Sequence, residues 1–145
     1  MTDVSVDVPA SASNVFEVLA DGWSYASWVV GAAHIRKVDA GWPAVGTRIH
    51  HSVGPWPVQL SDVTAVRDVD PPWLLELDAR LWPIGAARVR FELTEDEPGR
   101  TTVRMEEVVQ GGPFALMPEL VQSVLFVPRN RESLRRLTDL ALRQR

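Results

Sequence analysis

The chain has no cysteine and only one lysine among its 145 residues. The absence of cysteine excludes disulfide bonds, thiolate catalysis and a cysteine-bound zinc ion. Lys37 is left as the only lysine amine that could form a Schiff base. There is no apolar run of about 18 residues, so no membrane span is predicted, and the first residues lack the pattern of a signal peptide. We therefore expect a cytoplasmic protein without stable membrane insertion.

The chain also lacks any excess of positive charge. Its net charge is −4, which argues against nucleic acid as a partner. All basic residues except Lys37 are arginine, a bias typical of a GC-rich bacterial genome. The length predicts a single domain over residues 1–145, large enough for its own core. Six tryptophans are many for this length, and each can contribute a large buried area.

Known catalytic signatures are missing as well. The sequence contains no P-loop, no GxGxxG, no GxSxG, no HExxH and no zinc-finger spacing. We therefore predict no cofactor and no metal, and no reaction can be named from a motif.

The first thirty residues predict a strand, a helix and a short connector. Valines alternate with polar residues over 3–9, as in a half-buried strand. Pro9 ends the strand, and Ser11 can cap the helix that follows. The apolar face of this helix comprises Ala12, Val15, Phe16 and Leu19. An aromatic connector with Tyr25 and Trp28 follows and can form a second brief helix.

Six more strands are predicted, because alternating segments are separated by clusters of Gly, Pro and Asp. They are residues 34–39, 47–53, 58–69, 74–81, 87–94 and 101–109. The gaps between them are short, so neighbouring strands are expected to be antiparallel, as in a meander. In the last three strands one face is apolar, while the other carries arginines and acids typical of a solvated face.

The final segment, residues 117–145, has the apolar spacing of a long helix. Its stripe comprises Leu120, Val124, Val127, Leu134, Leu137 and Ala141, and the stripe changes direction across Pro128. Because an interior proline costs about 3 kcal/mol and removes a backbone hydrogen bond, we expect a kink or a break there. A long helix facing a sheet buries its apolar side on that sheet, and the space between them can become a cavity.

Seven short segments, taken in order, carry a family resemblance. They are residues 6–10 (VDVPA), 15–21 (VFEVLAD), 25–28 (YASW), 45–48 (VGTR), 68–72 (DVDPP), 107–113 (EVVQGGP) and 129–137 (RNRESLRRL). Together they resemble the START-like (SRPBCC) superfamily, which includes polyketide cyclases/dehydrases and proteins like the birch pollen allergen. The resemblance implies an α+β helix-grip fold: a curved seven-stranded antiparallel sheet wrapped around a long C-terminal helix, with one or two short helices after the first strand.

Histidines 50 and 51 are adjacent on a predicted strand, so they point to opposite faces and cannot share one metal ion. The parity of Ile49 and Val53 places His51 inward and His50 outward. An inward imidazole could orient a ligand or act as a general base near neutral pH. The alternative is a histidine at the edge of the core, bonded to a backbone carbonyl.

Glu107 has the parity of Met105 and Val109, which places it on the inner, cavity-facing side of the sheet. A buried carboxylate is costly unless it is paired, and perturbed groups in clefts are candidates for function. The alternative is a β-bulge at Glu106 and Glu107 that sends both side chains to solvent.

Further ligand-binding candidates are apolar. Trp28, Trp56 and Trp82 lie beside predicted turns, where they could rim a pocket and stack on a flat ligand, although plain packing is the commoner role. Leu77, Phe91 and Met105 are expected to line the cavity or to fill the core. The arginines of the last helix (Arg129, Arg131, Arg135, Arg136, Arg143 and Arg145) are expected on its solvated back.

The leading hypothesis is a binding protein, monomeric or homodimeric, that holds a small lipid-like, aromatic or polyketide-like molecule between sheet and helix. The superfamily that the chain resembles includes aromatase/cyclases. A second hypothesis is therefore a polyketide cyclase/dehydrase in which His51 or Glu107 transfers protons. A third is a regulatory or protein-interaction module that uses the arginine-rich helix. The fold alone does not choose among them.

Overall fold

The computed structural model describes residues 1–30, 34–53, 60–81 and 85–143. Strand β1 (Thr2–Val8) leads into α1 (Ala12–Ala20), a 3-10 turn (Gly22–Ser24) and the short α2 (Tyr25–Trp28). Six strands follow: β2 (His34–Val38), β3 (Arg48–Val53), β4 (Leu60–Asp70), β5 (Leu74–Leu81), β6 (Gly85–Glu97) and β7 (Arg100–Gly111). A second 3-10 turn (Pro113–Leu116) precedes α3 (Glu119–Arg143).

The seven strands form one antiparallel sheet in the order β1-β7-β6-β5-β4-β3-β2. Strands β2 to β7 are therefore the predicted meander, and β1 joins it as the neighbour of β7. We call the face of the sheet that packs against the helices the inner face. The α+β helix-grip fold with a long C-terminal helix is confirmed.

Most elements begin and end close to the predicted boundaries, but β6 and β7 are longer than predicted. The sequence indicated a break over 96–100, whereas the two strands continue to a turn at Pro98 and Gly99. The Thr102 hydroxyl donates to a carboxylate oxygen of Asp96 at 2.8 Å, which supports the extended pairing. Cross-strand contacts thus override the local turn preference of this acidic segment.

Helix α1 forms as its sequence predicts. The Ser11 hydroxyl accepts a hydrogen bond from the Asn14 amide at 3.2 Å and so caps the helix. The Ala12 amide donates to Glu95 on β6 at 2.6 Å, which ties the start of α1 to the sheet. The buried residues of α1 are Ala12, Val15, Phe16, Val18 and Leu19.

The outer face of the sheet carries ion pairs, as the alternation predicted. Glu76 on β5 lies 3.1 Å from Arg67 on β4 and 2.9 Å from Arg90 on β6. Arg104 on β7 pairs with Asp3 on β1. These pairs link neighbouring strands and leave the inner face to build the core.

Helix α3 packs against β1, α1 and α2. It runs unbroken through Pro128, so a break at that residue does not occur. Leu134, Leu137 and Ala141 are buried as predicted, but Leu120 and Val124 are exposed, so the predicted stripe is wrong in the first half of α3. Only the part of α3 from Phe126 onward reaches the core, because the buried residues of α3 all lie between 126 and 141. No helix in the described part of the chain is both long and apolar enough to cross a membrane.

Candidate ligand-binding site

Burial along the inner face changes from one row of residues to the next. The strand register aligns one row of buried residues: Leu75, Phe91, Met105 and Val4. The next row is also buried: Val66, Leu77, Val89, Glu107 and Thr2. The third row is only half-buried from β4 to β7, at Thr64, Ala79, Ala87 and Val109, which we call the open row, whereas its next member on β3, Ile49, is buried. On β4 to β7 the sealed core therefore ends between the second and third rows.

Small side chains form the middle of the open row. Ala79 on β5 and Ala87 on β6 are direct partners in the register. The same two strands carry Leu75 and Phe91 in the sealed core. Replacing such large side chains by methyl groups leaves space above the sheet, and an apolar floor with space above it is what a ligand pocket requires.

His51 lies on the inner face at the edge of the open row, so its predicted orientation is confirmed. Its Nε2 lies 3.1 Å from the Thr64 hydroxyl oxygen on β4, which differs from the backbone carbonyl partner considered above. Burial lowers the pKa of His51 below its ordinary value, and the nearby carboxylate of Asp62 partly opposes this shift. The imidazole is therefore neutral at pH 7 and able to accept a proton.

His50 points to the opposite face, as predicted. Its Nε2 lies 2.9 Å from a carboxylate oxygen of Asp39. This hydrogen bond is the largest cause that lowers the pKa of the Asp39 carboxyl. Arg48 is exposed and lies 3.5 Å from the same carboxylate. The two adjacent histidines thus serve different sides of the sheet.

Glu107 lies on the inner face and is buried. The register runs without a shift through Glu106 and Glu107 on both sides of β7, so the alternative of a bulge is wrong. The Nη2 of Arg129 lies 2.7 and 2.8 Å from the two carboxylate oxygens of Glu107. The side-chain amide of Asn130 donates to the carboxylate at 3.0 Å. Both oxygens of this buried carboxylate are therefore occupied.

Arg129 connects α3 to the sheet. Its guanidinium lies over the ring of Phe126, 4.9 Å from the centroid, and its Nε donates to the Asn130 side chain at 3.2 Å. About a third of the side chain remains exposed. The prediction that Arg129 lies on the solvated back of the helix is wrong, because Glu107 on β7 draws it toward the inner face.

A small pocket lies at the end of the sheet beyond the open row. Its volume is about 150 Å³, and its lining comprises Asp62, Arg80, Gly85, Ala86, Gly111 and Gly112. A Cβ atom on Gly85 would lie 2.4 Å from the carbonyl oxygen of Gly111, so glycine is required at this close approach of β6 and β7. The pocket is smaller than the roughly 300 Å³ of a drug-sized site.

The apolar candidates from the sequence divide into two groups. Trp28 is fully buried and packs edge-to-face on Phe91, with 5.7 Å between ring centroids, so it fills the core and does not rim a pocket. Leu77, Phe91 and Met105 belong to the sealed rows next to the open row. Trp56 and Trp82 lie outside the described residues.

The residues that sequence reasoning missed are Arg129, Asn130, Thr64, Ala79 and Ala87. The two alanines carry a signal, since each is the smallest residue on the apolar face of its predicted strand, 74–81 or 87–94. The sequence signal for Arg129 is weaker. A buried carboxylate at Glu107 needs a cation, but the sequence contains several arginines and does not indicate which of them pairs with it.

Comparison with known proteins agrees with this architecture. The sequence pattern of the family described as polyketide cyclase/dehydrase and lipid transport matches residues 2–141. None of the curated proteins matches the chain.

Solved structures share the fold at low sequence identity. A START superfamily protein from Mycobacterium smegmatis has a TM-score of 0.72 at 16% identity, covering 99% of this chain and 97% of that one. The Zhui aromatase/cyclase from Streptomyces sp. R1128 has a TM-score of 0.69 at 16% identity, covering 98% and 93%. The di-domain aromatase/cyclase StfQ of steffimycin biosynthesis has a TM-score of 0.70 at 18% identity, and 45% of its length is covered. The chain belongs to the START-like polyketide cyclase/dehydrase and lipid transport family.

Proposed function

We propose that this protein binds a small hydrophobic molecule, lipid-like or aromatic, above the open row and between the sheet and α3. The observation that carries the proposal is the loss of burial from the sealed rows to Thr64, Ala79, Ala87 and Val109 on one continuous inner face. A ligand that covers this apolar floor gains roughly 25 cal/mol for each Å² of apolar surface removed from water.

Two polar groups flank the floor and could fix the orientation of the ligand. The His51–Thr64 pair lies on β3 and β4, and the Glu107–Arg129 pair lies on β7 and α3. The strands β4 and β7 are three spacings apart, or about 14 Å. An elongated ligand with a polar group at each end, such as a fused-ring aromatic or a short lipid, fits this arrangement.

Cyclase or dehydrase chemistry is the second candidate, and His51 favours it. A neutral, half-buried imidazole beside an apolar floor has the protonation state that a general base needs. Glu107 suits proton transfer less well, since Arg129 and Asn130 already donate to its oxygens. The name of the Zhui aromatase/cyclase is consistent with this candidate.

The binding proposal is tested by placing a larger side chain in the open row. Ala79→Leu should weaken the binding of aromatic and lipid-like probes by at least about tenfold, because the added methylene groups occupy the ligand's space. Ala65→Leu is the matched control, since Ala65 is equally half-buried on the neighbouring strand but has the opposite parity to Thr64. Native mass spectrometry of the purified protein and fluorescence titration give the measurement. Equal binding by both variants and the parent protein would rule out this site.

Catalysis is tested separately with polyketide-like chains as substrates. Loss of turnover in His51→Ala with retained binding would support a cyclase or dehydrase, and would leave the binding site intact. Turnover unaffected by His51→Ala and by Glu107→Ala would remove this mechanism.

A further inference from the structure

The first half of α3 carries an apolar surface that faces solvent. Five aliphatic residues in this half and in the 3-10 turn before it are exposed: Leu116 (88%), which ends the turn, and Leu120 (77%), Val124 (67%), Leu125 (51%) and Val121 (43%) on α3. We call these five residues the α3 strip. At 3.6 residues per turn, the strip residues of α3 point roughly 165° away from the buried residues of the same helix. The strip therefore lies opposite to the core and to the ligand site.

The strip is as large as the largest apolar patch of a typical monomeric protein, and patches of that size are often functional. Five aliphatic side chains with these exposures present on the order of 500 Å² of apolar surface, near the upper end for the largest patch of a monomer. A stable interface buries about 800 Å² on each partner. The strip alone provides more than half of that area, and it is apolar throughout.

The spacing of the strip residues allows a two-fold symmetric contact with a second copy of the chain. In a two-fold, antiparallel contact centred between Gln122 and Ser123, Leu120 meets Leu125 of the second copy, and Val121 meets Val124. Each contact then occurs twice, as in an isologous dimer interface. No charged residue lies between Glu119 and Arg129, so the contact buries no ionised side chain.

The charges around the strip favour a protein surface over an anionic membrane. Arg129 is bonded to Glu107, and Arg135 and Arg136 both pair with Glu132. Three of the first four arginines that follow the strip on α3 are thus paired with carboxylates of this chain, and the fourth, Arg131, is exposed. A helix that binds anionic lipid usually presents unpaired basic residues beside its apolar face.

We propose that the α3 strip is the interface of a homodimer, in which the first halves of two α3 helices pack antiparallel. This inference goes beyond the proposed ligand binding and does not depend on it. The ligand sites stay outside the interface, since they lie on the other side of each helix.

Sedimentation equilibrium tests the dimer. The parent protein should have twice the chain mass of 16.1 kDa at micromolar concentration. Leu120→Glu with Val124→Glu should raise the dimer dissociation constant by at least about a hundredfold and give a monomer with an unchanged circular dichroism spectrum. Val45→Glu is the matched control, because Val45 is 62% exposed and lies outside the strip.

Cysteine cross-linking gives a second measurement, made possible by the absence of native cysteine. Val124→Cys should form an intermolecular disulfide under mild oxidation, whereas Val45→Cys should not. The proposal is overturned by a parent protein that is monomeric at all concentrations, or by a dimer that survives both glutamates. It is also overturned if the parent protein is a monomer that binds phosphatidylglycerol vesicles through the strip.

Discussion

Glu107 shows at the scale of one residue how a buried charge is stabilised. Its carboxylate accepts hydrogen bonds from Arg129 and Asn130, the two residues that follow Pro128 on α3. A carboxylate on a strand is thereby fixed to a guanidinium on a helix. The alternation of β7 placed Glu107 inside from sequence, but the identity of its partner required the tertiary structure.

Glu107→Gln should lower the free energy of unfolding by about 1–3 kcal/mol, because a charge-assisted hydrogen bond is lost and a partly buried guanidinium stays behind. The solvent exposure of Arg129 keeps the loss below that of a fully buried pair. Chemical denaturation is the measurement. Glu106→Gln is the control on the outer face, where the pair with Arg104 should contribute at most about 1 kcal/mol. Equal losses in the two variants would contradict the role assigned to Glu107.

His51 should make stability depend on pH. Burial lowers its pKa in the folded state below the ordinary value of 6.5, so the unfolded chain binds more protons than the folded one in the window below pH 6.5. The contribution of His51 is therefore fully present above pH 6.5 and is lost as the pH falls below it. His51→Gln should flatten this part of the pH profile of the unfolding free energy, and the exposed His34→Gln should leave it unchanged. A profile with the same slope in His51→Gln would assign the effect to another group.

At the scale of elements, α3 is one continuous helix with two different environments. From Phe126 onward it carries the residues that are buried in the core, whereas residues 119–125 carry the exposed strip residues of the helix. The change occurs around Pro128, where the helix lacks one backbone hydrogen bond. The sequence pattern predicted that the apolar stripe changes direction at Pro128, but it wrongly placed Leu120 and Val124 against the core.

Pro128→Ala should stabilise α3. Alanine restores the amide that can donate to the Val124 carbonyl and removes the steric clash of the ring, for a gain of up to about 3 kcal/mol. Thermal unfolding measures the change, with the exposed Arg131→Ala as a reference for substitution on the same helix. A lower melting temperature in Pro128→Ala would mean that the geometry imposed by proline is what fits α3 to the sheet.

Local sequence patterns predicted most strand boundaries, but not all of them. Apolar and polar residues alternate along a strand when one of its faces is buried, and this predicted alternation is confirmed in β5, β6 and β7. The ends of β6 and β7 were underestimated, because pairing with a neighbouring strand stabilises residues such as Asp96 that favour turns in isolation. A single sequence contains no information on that neighbour.

At the scale of the whole molecule, the proposed pocket and the proposed dimer interface lie on opposite sides of α3. Occupation of one should therefore leave the other accessible. Glu107 in the sealed rows is bonded to Arg129 and Asn130 on α3, and the open row lies beyond the sealed rows. The proposed ligand would thus bind beside the hydrophobic core, above the open row.

The sequence by itself determined the α+β fold, the meander and the inward position of His51 and Glu107. These follow from periodicity and short connections, which are local properties of the chain. The tertiary structure alone decided that Trp28 fills the core, that Arg129 pairs with Glu107 and that the first half of α3 is exposed. The reason is physical: each of these outcomes depends on which surfaces meet across a distance in sequence, and local pattern does not encode those contacts.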